Sequence, residues 1–227
     1  MRTLAIGDIH GVSSAFDALM NTVQPTPDDL LVFLGDYVDR GPDTKGVIDR
    51  ILHLSQTHQL VCLRGNHEVM MYRARHDRGE RKMWLSVGGA QAMASYGRGG
   101  RATLDDVPEE HWHFIGEACA DSFETETHIF VHANLAEGLP LDEQPEQMLF
   151  WEHLKGPIDH ISEKIVICGH SSQRSGIPKA WPKTVCIDTY AYGGGWLTCL
   201  DVGTNRYWQA NALGQVREGI IEFSREA

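Results

Sequence analysis

The chain is poor in positive charge: its 20 Lys and Arg residues face 31 Asp and Glu residues, giving a formal net charge of −11. Nucleic acids and anionic membranes are bound through clustered basic residues, so this balance predicts neither kind of partner. No apolar run approaches the roughly 18 residues that a membrane-spanning helix needs. A phosphorylated substrate remains compatible with an acidic chain, because bound divalent cations reverse the charge of a site locally.

Cysteine is also scarce, with 5 residues and no CxxC pair in the chain. Three of the cysteines lie in the apolar runs VCL, VICG and VCID. This placement is typical of small buried side chains in a reducing compartment, and not of disulfides or a thiolate metal site. The first residues, MRTLAIGD, lead directly into a polar motif and predict no signal peptide. We therefore expect a cytoplasmic protein.

Short apolar segments alternate with segments of helical spacing in the first third of the chain. The apolar segments are 3–6, 30–34 and 60–63, and the helical ones are 13–22 and 44–57. Strands that alternate with helices in this way predict βαβ units and a largely parallel sheet.

The remainder of the chain has a different pattern. Helices and loops are predicted for 69–120, where the glycine-rich stretch 97–100 forms a connection. Later strands have shorter connections, which predicts a second sheet packed on the first. These strands are expected at 129–131, 164–168, 184–187, 197–202 and 207–209. The chain has 42% hydrophobic residues and no linker or repeat, so residues 1–227 are predicted to form a single α/β domain.

Polar clusters follow the predicted strands. The motifs GDIHG, GDYVDRG and RGNHE follow the early strands at 7–11, 35–41 and 64–68. His132 and His170 follow two of the later strands. In open α/β sheets, ligands bind at the carboxyl ends of the strands, so we expect these clusters to converge on one site.

The residue types in these clusters favour metal binding. Asp, His and Asn side chains are oxygen and nitrogen donors suited to Mn²⁺, Fe or Zn²⁺. Asp8 and His10 lie two positions apart and can reach one ion, whereas Asp36 has two oxygens that can bridge two ions. The second ion would be completed by Asn66, His132 and His170. Two ions roughly 3.5–4 Å apart can clamp a phosphoryl group and supply a hydroxide nucleophile at neutral pH.

The remaining charged residues of the motifs fit the other tasks of phosphoryl transfer. Arg40 and Arg64 can bind phosphate oxygens through a planar fork of donors. His67 can protonate the leaving oxygen, while Asp39 orients its ring and keeps it cationic. The alternative is structural: the carboxylates would be loop residues or helix caps, and the arginines would pair with Asp39 or Glu68.

In order and content, these three motifs resemble the signature of the PPP-type metallophosphatases, the serine/threonine protein phosphatase family, and above all its compact bacterial and phage members. The resemblance covers 8–68 strongly, and His132, His170 and the IDT at 187–189 more weakly. It implies an αββα metallophosphoesterase sandwich, in which a mixed β-sandwich is flanked by helices and two metals lie at its edge.

The resemblance also implies the roles of individual residues. Asp36 would bridge the two ions, and His67 would be the general acid with Asp39 as its partner. The other implied metal ligands are Asp8 and His10 on one ion and Asn66, His132 and His170 on the other. The implied phosphate-binding residues are Arg40 and Arg64.

Three positions depart from the family pattern. Compact members usually have a third phosphate-binding arginine between the two late histidines, and His153 stands there in this chain. Lys155 and Arg174 are the candidates to replace it. Asn134 and Tyr190 stand where a small residue and a glycine are usual, and both are expected near the mouth of the site.

The leading hypothesis is a dinuclear metal-dependent phosphomonoesterase that hydrolyses phosphoserine and phosphothreonine in proteins or peptides, and phosphotyrosine as well. A metal-bridging hydroxide would attack phosphorus directly, so no phosphoenzyme would form. The cofactor would be two divalent ions, with manganese expected and iron or zinc as alternatives.

Two other hypotheses compete with it. Symmetrical diadenosine tetraphosphate hydrolases also resemble this chain, although VDRG and RGNHE are the forms typical of the protein phosphatases. A catalytically silent binding module is favoured only by the absent third arginine. A binding module has no need for a general acid, so the His67–Asp39 pair argues against it.

Overall fold

The computed structural model describes residues 1–97 and 102–223, and this part of the chain forms two β-sheets and seven α-helices. The strands are β1 (Thr3–Ile6), β2 (Leu30–Phe33), β3 (Gln59–Cys62), β4 (Ser122–Glu124), β5 (His128–Val131), β6 (Ile165–Cys168), β7 (Lys179–Trp181), β8 (Thr184–Cys186), β9 (Asp188–Thr189), β10 (Trp196–Asp201), β11 (Arg206–Ala210) and β12 (Val216–Ile220). The helices are α1 (Ser13–Val23), α2 (Thr44–Leu54), α3 (Asn66–His76), α4 (Arg78–Trp84), α5 (Ala90–Tyr96), α6 (Glu109–His113) and α7 (Glu146–Phe150).

The first sheet has the strand order β12-β11-β10-β1-β2-β3, and β9 pairs with β10. Its β1, β2 and β3 are parallel, because α1 and α2 cross over between them. The strands β9 to β12 pair antiparallel. The predicted βαβ units and their parallel pairing are confirmed for β1, β2 and β3. The sheet as a whole is mixed, because short turns join the late strands and a short turn allows only antiparallel pairing.

The second sheet has the order β4-β5-β6-β8-β7. It too is mixed, since β5, β6 and β8 are parallel while β4 and β7 pair antiparallel at the edges. The sequence predicted β5, β6 and β8 in a second sheet, as found. The strands predicted at 197–202 and 207–209 correspond to β10 and β11, which join the first sheet beside β1 instead.

Alternating side chains along the strands build the layers. Leu4 and Ile6 of β1 face a core shared with α1 and α2, whereas Ala5 faces Phe130 and Ile167 of the second sheet. A third apolar cluster packs the outer face of the second sheet against α7. This layering is a mixed β-sandwich flanked by helices, and it confirms the predicted fold class.

The early strands and helices begin and end close to where the sequence predicts them. The five predicted early strands and helices agree with β1, α1, β2, α2 and β3 to within three residues at each end. None of the helices in the described ranges has the length and apolar character to span a membrane. The predicted connection at 97–100 lies, from residue 98 onward, outside the described residues.

Candidate active site

The polar motifs leave the carboxyl ends of strands from both sheets and meet at one edge of the sandwich. The first sheet supplies Asp8, His10 and Asp36, and the second supplies His132 and His170. Of nine described non-glycine residues with positive φ, five belong to the predicted site. These five are His10, Asp36, Asp39, Arg40 and His170. Strained backbone is therefore concentrated where the polar side chains converge, as is common at functional sites.

Two groups of potential metal ligands share Asp36. One consists of His10, Asp36 and His67, and the other of Asp36, His132 and His170; within each group the ligand atoms lie within 4.8 Å of one another. Carboxylate oxygen and imidazole nitrogen are suitable donors for first-row divalent ions. The donor set thus fits two metal ions that share one carboxylate.

Backbone carbonyls fix the tautomers of the histidines. The Nδ1 atoms of His10 and His132 donate to the carbonyls of Val38 and Leu34 at 2.9 and 2.8 Å, so each Nε2 presents a lone pair. The Nε2 atom of His132 lies 3.1 Å from Asn66 Oδ1 and 3.5 Å from Asp36 Oδ1. Three acceptor atoms that face one another are satisfied together by a cation.

His170 uses the opposite ring nitrogen. Its Nε2 lies 3.2 Å from the Trp151 carbonyl and donates to it, which leaves Nδ1 as the potential ligand atom. Burial, with the nearby His132, lowers the pKa of His170 to about 3. The ring is therefore neutral and able to bind a metal at physiological pH.

Asp8 belongs to neither group of ligands. Its carboxylate accepts the backbone N–H of His170, at 3.0 Å for Oδ2. Burial, together with Asp188 and Asp36, raises the pKa of Asp8 well above the usual range. Asp8 thus supports the His170 backbone, and its predicted role as a ligand beside His10 on one ion stays a prediction.

Glu68 holds the loop that carries Asp36. Its carboxylate accepts the N–H groups of Asp36, Tyr37, Val38 and Gly65 at 2.8 to 3.2 Å. Burial raises the pKa of Glu68 to about 8, and these donors oppose that shift. Burial alone would raise the pKa of Asp36, but interactions with the neighbouring His132, His67 and His10 outweigh it and hold the pKa well below the usual value.

His67, Asp39 and Trp84 form a buried chain of hydrogen bonds. His67 Nδ1 lies 2.6 Å from Asp39 Oδ2, and the Trp84 indole donates to the same carboxylate at 2.8 and 2.9 Å. Burial lowers the pKa of His67 to about 4 and raises that of Asp39 well above normal. The lowered pKa favours a neutral His67 ring, in contrast to the cationic ring that the sequence predicted. Asp39 occupies Nδ1, so Nε2 is the ring atom that can take up a proton and pass it on.

Arg40 lies inside the site, as predicted. Its Nη1 is 3.0 Å from His10 Nε2, and its guanidinium carbon lies 4.4 Å from the centre of the Tyr192 ring. Its backbone N–H donates to the Gly88 carbonyl at 3.1 Å. A Cβ atom at Gly88, where φ is +131°, would lie 2.8 Å from the Arg40 nitrogen, so glycine permits this close approach.

Arg64 is not brought together with Arg40. Its guanidinium donates to Asp121 at 2.8 Å and to the carbonyls of Gly116 and Cys119 at 3.1 Å. It lines a separate cavity of about 370 Å³, between Tyr72 and Asp121. These contacts are structural, but the acid that pairs with Arg64 is Asp121 and not the Asp39 or Glu68 that the structural alternative named.

The site cavity has a volume of about 620 Å³ and contains two of the departures from the family pattern, His153 and Tyr190. The His153 ring stacks on His170, with centres 4.3 Å apart and planes 17° apart. Arg174 also lines this cavity, whereas Lys155 lines a neighbouring one. Of the two candidates to replace the third arginine, only Arg174 is therefore in position. Asn134, the third departure, lines the same cavity as Lys155.

Sequence reasoning missed Tyr192 and the role of Trp84. Tyr192 contacts His10 edge to face at 4.8 Å and lies beneath Arg40. Trp84 is fully buried, and its indole N–H binds Asp39. A buried tryptophan usually finds a partner for this donor, and that rule was the available signal.

One cysteine has an arginine six positions downstream, Cys168 with Arg174, which is the spacing of a nucleophilic cysteine loop. Cys168 is fully buried in β6, and its thiol faces the Val185 carbonyl at 3.8 Å. A hydrogen bond from Cys186 and burial raise the pKa of Cys168 well above normal. A reactive thiol needs the opposite shift, so Cys168 is structural.

A family model described as calcineurin-like phosphoesterase matches residues 1–194. The chain belongs to this family. It is therefore a metallophosphoesterase, a hydrolase whose family implies divalent metal ions, in agreement with the two ligand groups that share Asp36. The predicted resemblance to this class of enzyme is confirmed.

Relatives of this metallophosphoesterase have two kinds of name. Serine/threonine-protein phosphatase 1 of Salmonella typhimurium is 39% identical over 85 residues, 37% of each chain. A symmetrical bis(5'-nucleosyl)-tetraphosphatase of Acidovorax sp. is 37% identical over 75 residues, 33% of this chain and 26% of that protein. The aligned parts thus span little more than a third of these relatives at most.

The likeness to solved structures extends over almost the whole chain. A crystal structure provisionally named as a diadenosine tetraphosphatase has a TM-score of 0.67 and 18% identity. The match covers 96% of this chain and 92% of that one. At this identity the likeness shows the shared fold.

Proposed function

We propose that this metallophosphoesterase hydrolyses phosphoserine and phosphothreonine in proteins or peptides, with phosphotyrosine as a further substrate. The observation that carries the proposal is the His67–Asp39 pair, at 2.6 Å, beside two ligand groups that share Asp36. The Salmonella relative named as a serine/threonine-protein phosphatase supports it, as do the VDRG and RGNHE motifs.

Metal ions would be held at the two ligand groups. We assign His10 and Asp36 to the first ion, and Asp36, His132 and His170 to the second. Asp8 and Asn66 are the further ligands that the motif positions imply. When bound, two such ions, manganese in our proposal, activate a water molecule and offset the charge of the phosphoryl group.

The residues around the ions have separate tasks. Arg40 binds phosphate oxygens, and stacking over Tyr192 holds its guanidinium in the cavity. His67, once protonated at Nε2, delivers that proton to the leaving oxygen while Asp39 fixes its ring through Nδ1. Arg64 would bind phosphate only after leaving Asp121, so we assign the larger part of phosphate binding to Arg40.

The chain's own cysteines support a location in the cytoplasm. All five are free, and four are buried. Free thiols of this kind persist in a reducing compartment.

Symmetrical dinucleoside tetraphosphate hydrolysis is a second candidate, supported by the Acidovorax relative and by the cations Arg40, Arg174 and Lys179 in the site cavity. The test is phosphate release from a phosphopeptide by chelator-stripped protein, with and without added Mn²⁺. Release that Mn²⁺ restores supports the phosphatase. No release from the phosphopeptide, but cleavage of diadenosine tetraphosphate, would replace it with the second candidate.

The silent binding module is tested by the same preparation. Protein that demonstrably holds two metal ions, yet cleaves neither the phosphopeptide nor the dinucleotide, would be a binding module. The metal content is measured by elemental analysis of the same sample.

A further inference from the structure

The site cavity contains more positive charge than a single phosphate group requires. Arg40, Arg174 and Lys179 all line it, and Asp36 at the metal centre is the one carboxylate among its described lining residues. In this chain of net charge −11, six of the eleven arginines among the described residues pair with acids, for example Arg50 with Asp17. An accumulation of cations against this acidic background marks a place that receives anions.

No acid among the described residues neutralises either outer cation. Within the described residues, Arg174 and Lys179 have no carboxylate within 4 Å, and each lies instead against an aromatic ring. Arg174 is 5.4 Å from the centre of Tyr190, and Lys179 is 4.6 Å from that of Trp181. Cation–π contacts hold these head groups while leaving their N–H donors available to a ligand.

Arg174 is connected to the catalytic region through two tyrosines whose rings meet edge to face. Arg40 lies over Tyr192, Tyr192 contacts Tyr190 with ring centres 4.7 Å apart, and Tyr190 lies under Arg174. A substrate held at Arg40 therefore meets Arg174 farther along the same wall. Both cations face the same cavity, whose volume of about 620 Å³ is in the range that holds whole small ligands.

The backbone supports this wall at a conformational cost. Tyr190 has φ +66°, in the left-handed region where glycine is the unstrained choice. The N–H groups of Gly193 and Gly195 both donate to its carbonyl, at 3.1 and 2.9 Å. A non-glycine residue whose backbone is held in a strained conformation is often found at a functional site.

The loop that carries Arg174 is equally well fixed. Ser172 donates to the Asp188 carboxylate at 2.5 Å, and the Gln173 N–H donates to the Asp188 carbonyl at 2.8 Å. The Gly176 carbonyl accepts from Gln209 at 2.9 Å. The base of Arg174 is thus held between anchored residues even though its head group is exposed.

We propose that Arg174, Lys179 and Tyr190 form a second anion subsite, which binds a further phosphate group of the same substrate molecule. The inference rests on the proposed function, because Arg40 and the metal centre take the phosphate that is cleaved. The preferred substrates then have two or more phosphates within reach of each other, either on one peptide or in a polyphosphate chain.

The test compares substrates that differ only in the second phosphate. Peptides with one phosphothreonine are compared with the same peptides carrying a phosphoserine nearby, and diadenosine tetraphosphate is assayed separately. We expect Arg174→Gln to lower the ratio of kcat/KM for the doubly over the singly phosphorylated peptide by about tenfold, since a charge-assisted hydrogen bond to phosphate is lost. Tyr190→Gly is expected to lower the same ratio.

Arg206→Gln is the matched control. It removes the same charge at the start of β11, where Arg206 pairs with Asp201 of β10. Asp201 in turn pairs with Leu4 near the start of β1, whereas the site lies beyond the carboxyl end of β1. The subsite would be overturned if Arg174→Gln changed neither the peptide ratio nor kcat/KM for diadenosine tetraphosphate, or if both variants lost equally. An unchanged peptide ratio with a kcat/KM for diadenosine tetraphosphate that falls about tenfold would assign the subsite to polyphosphate chains.

Failure of the proposed function is recognised separately. If no phosphoester is cleaved by metal-loaded protein, calorimetric binding of the doubly phosphorylated peptide to wild type and Arg174→Gln still tests the subsite. Weaker binding by about tenfold in the variant supports it, and equal binding overturns it.

Discussion

The indole nitrogen of Trp84 donates to both carboxylate oxygens of Asp39, at 2.9 and 2.8 Å, while Asp39 Oδ2 lies 2.6 Å from His67 Nδ1. One side chain thus fixes the orientation of the carboxylate that orients the proposed acid. Gly89 packs against the Trp84 ring, where a Cβ atom would come within 2.4 Å. The kinked segment between α4 and α5 therefore positions the proton donor although it contains none of the predicted catalytic residues.

The first prediction is that Trp84→Phe lowers kcat about tenfold, with a smaller change in KM. Phenylalanine fills most of the space but cannot donate to Asp39, so the carboxylate and the His67 ring lose their fixed geometry. The pH profile of kcat should shift as well, because the indole N–H stabilises the charged carboxylate. Measuring kcat and KM of both proteins from pH 5 to 9 checks the loss of rate and the shift of the profile.

Trp112→Phe is the control, since Trp112 is 2% exposed and also packs in the first core without contacting Asp39. Equal losses of kcat in the two variants would reduce Trp84 to a packing residue.

The second prediction concerns His67. His67→Asn should lower kcat by roughly 10²–10³-fold, the usual contribution of a general acid. Its Nδ1 is used by Asp39, so metal content is expected to stay unchanged. Elemental analysis decides the matter, because His67 also lies among the potential ligands of the first group. Loss of one ion would make it a ligand rather than the acid. His113→Asn, at an exposed histidine paired with Glu117, is the control.

The third prediction concerns the shared carboxylate. Asp36→Asn should abolish stable binding of both metal ions, since both ligand groups contain Asp36. The neighbouring histidines also lose the negative charge that faces them, at 3.3 Å for His10 and 3.5 Å for His132. Metal content after dialysis measures the effect, with Asp17→Asn as a surface control. Retention of one ion at full occupancy would show that the groups are independent.

The fourth prediction is a pH-dependent contribution to stability. Asp29 is 3% exposed and accepts hydrogen bonds from Arg2, which hold its pKa below the usual value. A carboxyl whose pKa is depressed by folding stabilises the fold above its unfolded pKa, about 3.9, and this stabilisation is lost as the pH falls. Asp29→Asn should therefore lower the free energy of unfolding by about 1–3 kcal/mol at pH 7.

The difference between wild type and Asp29→Asn should shrink as the pH falls below about 4, where the unfolded carboxyl is protonated. Urea unfolding at pH 7, 4 and 3 measures it. A difference that stays constant down to pH 3 would contradict the linkage to Asp29.

The strand-end motifs were predictable because strands and helices of different period alternate in the first third of the chain. That alternation places Asp36 and His10 at the same edge of a sheet without any knowledge of the structure. The position of β10 beside β1 could not be predicted, because an apolar strand has the same pattern in either sheet. β12 was missed because its side chains are mostly exposed and lack an apolar face.

The direction in which side-chain head groups point could not be predicted from the sequence either. RGNHE fixes the position of Arg64 on the chain, but Asp121, 57 residues away, decides where its guanidinium points. In the same way, Trp84 reaches Asp39 across 45 residues. Such contacts depend on how the segments pack, and local pattern contains no information about them.

Asp36 belongs to the first sheet, whereas His132 and His170 extend from strands of the second, so an ion bound between them joins the two halves of the sandwich. Such an ion binds the folded chain and loses its ligands when the sheets separate. The free energy of unfolding then rises with the logarithm of free metal once its concentration exceeds the dissociation constant. The supply of metal in the cell would therefore set the thermal tolerance of the enzyme together with its activity.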